Sequence, residues 1–196
     1  MAVTGIRLSA TSYVVLGMIA LRGPSTPYEL KRAVGHSVGY FWHFPHAQLY
    51  SEPDRLAQLG LLERTVEDRG RRRKTYALTE EGRRALRDWL ASPTEEHFQM
   101  RDIAELKLFF NEAGDPEHDV PALARDQIKQ HEARIAVYEG MAERFGDDPR
   151  AQPRMITLEL GLEMEHAALR FWTALAEGDL DRLREERRRG GPAAGG

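Results

Sequence analysis

Three helical patterns precede two short strand patterns in the first half of the chain, and a cluster of cations separates the two strands. The predicted helices and strands span 9–21, 26–35, about 46–59, 61–67 and 75–79. This order is typical of a winged helix-turn-helix, in which one helix crosses the DNA backbone, the next enters the major groove and a hairpin protrudes beside them. We therefore expect a mainly α fold with a two-stranded β-wing.

The ends of these helices are marked by residues that suit helix termini. Thr26 can cap the second helix, Pro27 suits its first position, and Glu29 stands where a capping box needs an acceptor. Gly60 ends the third helix as a glycine cap does. Pro53 lies inside the third helix, so we expect either a kink or a late helix start.

The cation cluster lies at the tip of the predicted hairpin, where Arg69 to Lys74 hold five cations in six residues. Phosphates supply most of the affinity for DNA, and Arg side chains favour narrow minor grooves, so such a tip suits either surface. A solubilising loop is the alternative for the cluster taken alone. Its position directly after three helices favours the DNA interpretation.

The net charge of −3 conceals a separation between the two halves of the chain. Residues 1–92 hold 14 Lys and Arg against 9 Asp and Glu, whereas residues 93–196 hold 14 against 22. A basic domain joined to an acidic one indicates that only the first faces DNA. We predict a winged helix-turn-helix DNA-binding domain over 1–92, a helical dimerisation domain over 97–187 and a disordered tail over 188–196.

The second half shows helical patterns only, over 101–112, 121–145 and 153–177. In the 121–145 helix, residues at spacings of four and three form one narrow, mostly apolar seam, as in packed helix pairs. They are Ala124, Ile128, His131, Ile135, Tyr138, Ala142 and Phe145. The 153–177 helix carries two apolar stripes on nearly opposite sides, so both sides must be buried. The stripes are Leu158, Leu162, Leu169 and Trp172, and Leu160, Met164, Ala168, Phe171 and Leu175. One stripe can face its own subunit and the other a partner, which predicts a homodimer.

Several short motifs in the first half resemble a known family. They are 9–21, Pro27-Tyr28-Glu29-Leu30, Tyr40-Phe41-Trp42, Gln48-Leu49-Tyr50, Arg55-Leu56, Gly60-Leu61-Leu62 and 76–82. Over residues 8–90 they resemble the PadR family of transcriptional regulators, and the long second half is similar in length and pattern to the larger subfamily. The resemblance implies a homodimeric regulator, commonly a repressor, often released by a small molecule. A two-fold dimer presents two recognition helices, which predicts a palindromic operator.

The resemblance assigns the third helix as the recognition element and the hairpin tip as the wing. The predicted DNA-binding residues are Tyr28, Lys31, His46, Gln48, Tyr50, Ser51, Arg55, Arg69, Arg71, Arg72, Arg73 and Lys74. Gln48 can pair bidentately with adenine or remain merely solvated. Tyr28 and Tyr50 can donate to phosphates or pack as core rings with hydroxyls at the surface. Lys31 and Arg55 can contact phosphates or form salt bridges.

Large apolar residues follow the winged helix and recur on the last predicted helix. Phe109, Phe110 and Trp172 are candidate residues of an effector pocket near the domain junction, because small-molecule sites favour domain interfaces lined by aromatic groups. Ordinary core packing is the alternative, since aromatic stripes usually are core. Resemblance to a family often regulated by aromatic ligands adds support to the pocket.

The sequence shows no pattern for catalysis, for a cofactor or for a metal. Cysteine is absent, which excludes disulfides, thiolate zinc sites and cysteine nucleophiles. Glu163 and His166 have the spacing used in di-metal carboxylate bundles, but those sites need a second such motif and two further Glu residues. We therefore expect no enzyme and no cofactor, with a metal-dependent helical enzyme as the minor alternative.

The remaining expectations concern partners and location. No apolar run reaches the ~18–20 residues of a membrane-spanning helix, so we expect a cytoplasmic protein with no membrane partner. The expected partners are double-stranded DNA, a second copy of the chain and a small-molecule effector. A winged-helix module that binds protein instead of DNA is the competing hypothesis, but such a wing has no need of five adjacent cations.

Overall fold

The computed structural model describes residues 8–42, 45, 47–67, 72–149 and 151–190 of the 196-residue chain. Three of the predicted DNA-binding residues, His46, Arg69 and Arg71, lie outside these ranges, and so does the end of the predicted tail, 191–196. None of the described helices is both long enough and apolar enough to cross a membrane.

The chain divides into two compact units, Met1–His97 and Phe98–Gly196. The first contains, in chain order, α1 (Ala10–Arg22), α2 (Pro27–Gly35), a 3-10 helix (Val38–Tyr40), α3 (Gln48–Gln58), β1 (Leu62–Val66), β2 (Lys74–Leu78) and α4 (Glu80–Ala91). This order confirms the predicted winged helix-turn-helix with its two-stranded wing.

The first two helices begin at reciprocal side-chain caps. In α1 the N–H of Ser12 donates to Ser9 Oγ at 3.3 Å, and the N–H of Ser9 donates to Ser12 Oγ at 2.9 Å. In α2 the N–H of Glu29 donates to Thr26 Oγ1 at 3.3 Å, and the N–H of Thr26 donates to Glu29 Oε2 at 2.8 Å. These bonds satisfy amides that a helix start leaves unpaired, which fixes where each helix begins.

The third helix starts late, at Gln48, and continues through Pro53. Proline cannot donate the backbone bond expected at that position. Leu49, Pro53 and Leu56 are all buried, at helical spacings of four and three. Pro53 therefore belongs to the packed stripe of α3, and this burial offsets the missing hydrogen bond.

The two strands pair antiparallel, with Leu62 opposite Leu78 and Val66 opposite Lys74. A third segment joins them, because Ser25 and Tyr76 exchange both backbone N–H···O bonds at 3.0 Å. The wing is thereby attached to the turn that precedes α2.

The core of the first unit packs α1, α2, α3 and β2 together. Its members with no exposed surface include Val15, Leu16, Leu30, Leu49, Leu56 and Tyr76. Burial of one such side chain contributes about 1.5–3 kcal/mol. This core sets the positions of α3 and the wing within one unit.

Within its described residues the second unit contains helices and connecting loops but no strand. It contains α5 (Ile103–Phe109), a 3-10 helix (Asn111–Ala113), α6 (Pro116–Phe145), α7 (Gln152–Glu177) and α8 (Leu180–Gly190). On α6, Ala124, Ile135 and Tyr138 are buried, and all three belong to the predicted seam. A Cβ added at Gly161 of α7 would lie 3.0 Å from the Tyr138 ring, so α6 and α7 approach closely at this glycine.

Two helices of this unit were predicted with wrong bounds, 101–112 and 121–145. α5 spans only seven residues, because Asp102 caps it through a 2.8 Å bond from the N–H of Ala104 and a 3-10 helix follows it. α6 begins at Pro116 and not at Pro121. Both prolines suit a first helical position, but only a start at Pro116 places Glu117 in the favourable first turn.

α8 has no counterpart among the predicted helices. Its charged residues pair at helical spacing, Arg184 with Asp181 at 2.8 Å and Arg189 with Glu185 at 3.1 Å, and such pairs favour a helix. Because α8 continues to Gly190, residues 188–190 are helical and the predicted tail does not begin at 188.

The two predicted stripes of α7 differ in burial. Trp172, at the end of the first stripe, is 4% exposed and packs in a cluster with Ala104 and Ala124. Leu160 and Met164 of the second stripe are 62% and 46% exposed. Ala168 and Leu175, from the end of the second stripe, pack against the same cluster. Both stripes therefore contribute to the core of their own unit at this end of α7, whereas the start of the second stripe has no cover within the unit.

Candidate nucleic-acid interface

The start of α3 exposes three of the residues predicted to contact DNA, Gln48, Tyr50 and Ser51. Gln48 Oε1 accepts a hydrogen bond from Thr11 Oγ1 of α1 at 2.8 Å. This bond holds the Gln48 side chain in one orientation before any ligand is present. A side chain that is already ordered loses less conformational entropy on binding.

α2 places a cation beside this exposed turn. Lys31 Nζ lies 6.0 Å from the centroid of the Tyr50 ring, at the outer limit of a cation–π interaction. Tyr50 is 46% exposed and Tyr28 is 66% exposed. Neither tyrosine is a core ring, so the exposed side of α2 and the start of α3 present two phenol groups and one ammonium group together.

The guanidinium group of Arg55 is bound by side chains of α1 and α3. Its Nε donates to Glu52 Oε2 at 2.9 Å, and its Nη2 donates to Glu52 Oε1 at 2.7 Å and to Ser12 Oγ at 3.0 Å. Burial raises the pKa of Glu52, but the hydrogen bonds from Arg55 and Ser12 outweigh burial and bring the pKa below its ordinary value. Arg55 therefore forms a salt bridge with Glu52, which is one of the two roles that the sequence left open for it.

Asp54 of α3 accepts three hydrogen bonds from the wing. Lys74 Nζ donates to Oδ2 at 2.8 Å, and Arg64 Nη1 and the Tyr76 hydroxyl donate to Oδ1 at 3.0 Å and 2.8 Å. The bond from Lys74 is the main reason that the pKa of Asp54 falls to about 2, against the effect of burial, and Tyr76 and Arg64 lower it further. Burial and the Asp54 carboxylate together raise the pKa of Tyr76 to about 12.

The wing tip carries two described cations, Arg72 and Arg73, and both are exposed. The N–H of Glu67 donates to the carbonyl of Arg73 at 3.1 Å, which extends the hairpin beyond β1 and β2. Arg72 has φ of 46°, in the left-handed region that non-glycine residues occupy mainly in tight turns. The chain turns there and leaves both guanidinium groups on the surface.

The structure thus separates the predicted DNA-binding residues into two groups. Tyr28, Lys31, Gln48, Tyr50, Ser51, Arg72 and Arg73 have exposed side chains, whereas Arg55 and Lys74 are bound to carboxylates. Sequence reasoning missed the residues that hold this surface in place, namely Thr11, Ser12, Glu52, Asp54 and Tyr76. The available signal was two acidic residues on a helix expected to face phosphates, since carboxylates at such positions need cationic partners.

The aromatic residues proposed for an effector pocket have different surroundings. Phe109 and Phe110 are 78% and 60% exposed. Their rings meet edge to face, with the ring centroids 5.0 Å apart. Trp172 is buried and contacts Phe171 edge to face at 5.2 Å. Packing of Trp172 in its cluster agrees with the core alternative for that residue.

Glu163 and His166 both lie on α7, and within the described residues no three potential metal ligands converge on one point. The neighbouring Glu165 accepts a 2.6 Å bond from His131 Nδ1 of α6. That pair therefore links α6 to α7.

Comparisons with known proteins agree with this geometry. Residues 15–88 match the family described as "Transcriptional regulator PadR-like family", and residues 100–188 match the family "Virulence activator alpha C-term". A protein of Bacillus subtilis (strain 168) named "Negative transcriptional regulator PadR" is 26% identical over 141 residues, which cover 68% of this chain and 73% of the relative.

Two solved structures share the fold. Bacillus subtilis PadR in complex with operator DNA has a TM-score of 0.76 and 22% identity, and the match covers 87% of this chain and 99% of that one. The same regulator in complex with p-coumaric acid has a TM-score of 0.71 and 23% identity, over 87% and 99% of the two chains. At these identities the likeness establishes the winged helix followed by a helical region.

Proposed function

The chain belongs to the PadR-like family of transcriptional regulators, and from this premise we propose that it binds operator DNA as a homodimer through α3 and the wing. The observation that carries the proposal is the exposed start of α3, where Gln48, Tyr50 and Ser51 lie in the same unit as Arg72 and Arg73 of the wing tip. Amide and hydroxyl groups suit base edges, and guanidinium groups suit phosphates or a narrow minor groove. A regulator that acts on DNA in this way works in the cytoplasm.

Selection of DNA from a random library with the full chain tests this function. The enriched sequences should contain two inverted half-sites with centres about one helical turn, ~34 Å, apart or a multiple of it. Footprinting of the enriched DNA should protect both half-sites. Enrichment of a single asymmetric half-site bound by a monomer would contradict the dimer, and no enrichment would contradict DNA binding.

The direction of regulation that we propose is repression. The Bacillus subtilis relative is named a negative regulator, which supports this choice. A reporter gene placed behind the selected operator should be less active when the chain is present. Higher reporter activity would make the chain an activator.

We propose further that a small aromatic molecule releases the regulator from DNA. Support comes from the solved complex of the Bacillus subtilis regulator with p-coumaric acid. A variant that keeps only Trp172, with Trp42→Phe and Trp89→Phe, would report binding in the second unit. p-Coumaric acid and related planar acids should quench its fluorescence saturably and weaken operator binding, because a ligand regulates only if it binds the two states unequally. If a broad panel changes neither signal, the effector proposal should be dropped.

A further inference from the structure

Asp54 connects the recognition helix to both strands of the wing. Its carboxylate extends from α3 to Arg64 of β1 and to Lys74 and Tyr76 of β2. Tyr76 has no exposed surface and is also bound through its backbone to Ser25. The tyrosine is therefore a fixed point, and Asp54 attaches α3 to it.

The arrangement costs electrostatic affinity for DNA. The side chains of Arg64 and Lys74 are 48% and 45% exposed, so both cations could reach a phosphate if Asp54 did not hold them. Each phosphate contact contributes to affinity through counterion release. An acid that neutralises two cations next to a DNA-binding surface therefore needs a reason other than affinity.

The position of the wing tip relative to α3 supplies that reason. Lys74 immediately follows Arg72 and Arg73, so fixing its side chain limits where the wing tip can lie relative to α3. The base-reading residues of α3 and the cations of the wing tip must contact the same DNA molecule at a fixed distance from each other. A displacement of about 1 Å in one of these groups can therefore weaken binding strongly.

We propose that Asp54 is a positioning residue for DNA recognition, which fixes the wing tip relative to the base-reading side of α3 and gives up two phosphate-binding cations to do so. The proposal rests on the DNA-binding function proposed above. It assigns sequence discrimination to a residue that need not touch DNA.

The test compares the wild-type chain with Asp54→Asn on two DNA probes, the selected operator and random-sequence duplex of equal length. The substitution removes one negative charge and releases Arg64 and Lys74. We expect operator affinity to fall about tenfold or more, the size of one lost charge-assisted hydrogen bond. Random DNA should bind at least as tightly as before, with a log–log salt slope steeper by up to ~0.9 for each released cation. Operator binding that tightens by the same factor as random binding would overturn the proposal.

Glu63→Gln is the matched control, because Glu63 is an exposed acid on β1 outside the Asp54 cluster. It removes the same charge, so the ratio of operator to random affinity should stay at its wild-type value. An equal drop in that ratio for the control would show that charge removal alone explains the Asp54 result, and would overturn the proposal.

Tyr76→Phe keeps the proposal testable if Asp54→Asn does not fold. It removes one of the three hydrogen bonds and keeps the ring, the carboxylate and both paired cations. We expect the operator-to-random ratio to fall several-fold with no change in salt slope. An unchanged ratio in a folded Tyr76→Phe variant would overturn the proposal.

A measurement on free protein separates this inference from the DNA-binding function. The chain has no cysteine, so spin labels attach at Ser51→Cys and Arg73→Cys alone. Mixing with excess unlabelled chain leaves one labelled subunit per dimer, and the measured distance is then that from α3 to the wing tip. The distance distribution should be narrow with Asp54 and broader with Asp54→Asn. Equal widths would overturn the fixing role. Failure of the wild type to bind any DNA would instead overturn the DNA-binding function, and with it the role in recognition.

Discussion

Ser12 Oγ of α1 donates a hydrogen bond to Glu52 Oε1 of α3 at 2.6 Å, from a side chain that has no exposed surface. Arg55 Nη2 donates to the same hydroxyl at 3.0 Å. The recognition helix is therefore attached to α1 by a polar network in addition to the buried stripe of Leu49 and Leu56. Together with the bond from Thr11 to Gln48, this network holds the start of α3, the turn that we propose reads bases.

Ser12→Ala should destabilise the first unit by about 1–3 kcal/mol, because Glu52 and Arg55 each lose a partner in a partly buried site and the start of α1 loses the bond from the Ser9 N–H. Urea unfolding monitored by circular dichroism measures the change. Ser51→Ala is the control, since Ser51 is an exposed serine on α3, the helix that carries Glu52 and Arg55, and it should change stability by no more than ~0.5 kcal/mol. Equal effects of the two substitutions would show that the network contributes nothing.

The Asp54 cluster should make stability depend on pH at the acid end. The pKa of Asp54 is lowered in the folded chain from 3.8 to about 2, so the stabilisation is fully present above pH ~4 and is lost as pH falls through ~2. We expect wild type to lose about 1–2 kcal/mol more than Asp54→Asn over that range, after allowance for solvent screening of the exposed cations. Urea unfolding at pH 5, 3.5 and 2.5 measures the difference. Parallel pH profiles for the two proteins would contradict it.

Replacing Arg72 and Arg73 together with Ala should weaken binding to operator and random DNA alike. If each guanidinium contacts one phosphate, the log–log salt slope should fall by up to ~1.8 in total. Arg84→Ala with Arg87→Ala is the matched control, because those side chains pair with Glu81 and Glu80 on α4. If the wing variant keeps the wild-type salt slope, Arg72 and Arg73 do not contact phosphates and the wing tip is a solubilising loop.

Gly82→Ala should destabilise the first unit, because an added Cβ would overlap the carbonyl oxygen of Leu61. Backbone atoms cannot move aside as a flexible side chain can, so the cost should be about 1–3 kcal/mol. Gly17→Ala is the control within α1, where a Cβ meets nothing within 4 Å. It should raise stability by about 0.5–1 kcal/mol through helix propensity. Thermal unfolding that shows the same sign for both substitutions would contradict the close approach.

Leu160→Asp should convert the proposed dimer to a monomer without unfolding α7. Leu160 is already 62% exposed within one chain, so a charge there costs little until a partner covers it. An unpaired charge buried in an apolar interface costs several kcal/mol, or about a hundredfold or more in dissociation constant. Light scattering across a dilution series measures the mass, with the exposed neighbour Glu159→Gln as control. A Leu160→Asp variant that remains a dimer to the same dilution as wild type would place the interface elsewhere.

Much of the first unit could be predicted because its signals are local. Thr26 and Glu29 are three positions apart, and a capping box needs nothing else in the chain. The bonds to Asp54 come from residues 10, 20 and 22 positions away, so no short pattern announces them. The same limit explains the assignment of Lys74 to DNA, since its partner Asp54 is 20 positions away. Arg55 differs, because its partner Glu52 is three positions before it on α3, so a local signal for that ion pair was present.

The helix bounds of the second unit were harder to predict, because its sequence signals for helix ends conflict. Pro116 and Pro121 both suit a helix start, and the acidic first turn that follows Pro116 agrees with the start that the structure shows. α8 has an almost wholly charged sequence, and its helical state depends on pairs such as Arg184 with Asp181. The prediction of two stripes on nearly opposite sides of α7 is wrong at the end of the helix, because Ala168 and Leu175 of the second stripe pack against the cluster of Trp172 from the first. A period of 3.6 residues is a property of the sequence, but the neighbours that cover each residue depend on packing.

The backbone bridge between Ser25 and Tyr76 has a consequence for the order in which the first unit folds. The hairpin of β1 and β2 can close early, because its strands are neighbours in sequence. The bridge joins residues 51 positions apart, so it pays a larger loop-closure entropy and forms only after α2 and α3 have brought the segments together. Docking of the hairpin is therefore a non-local step of folding, and local unfolding that released it would also withdraw Tyr76 from the core that α1, α2 and α3 share.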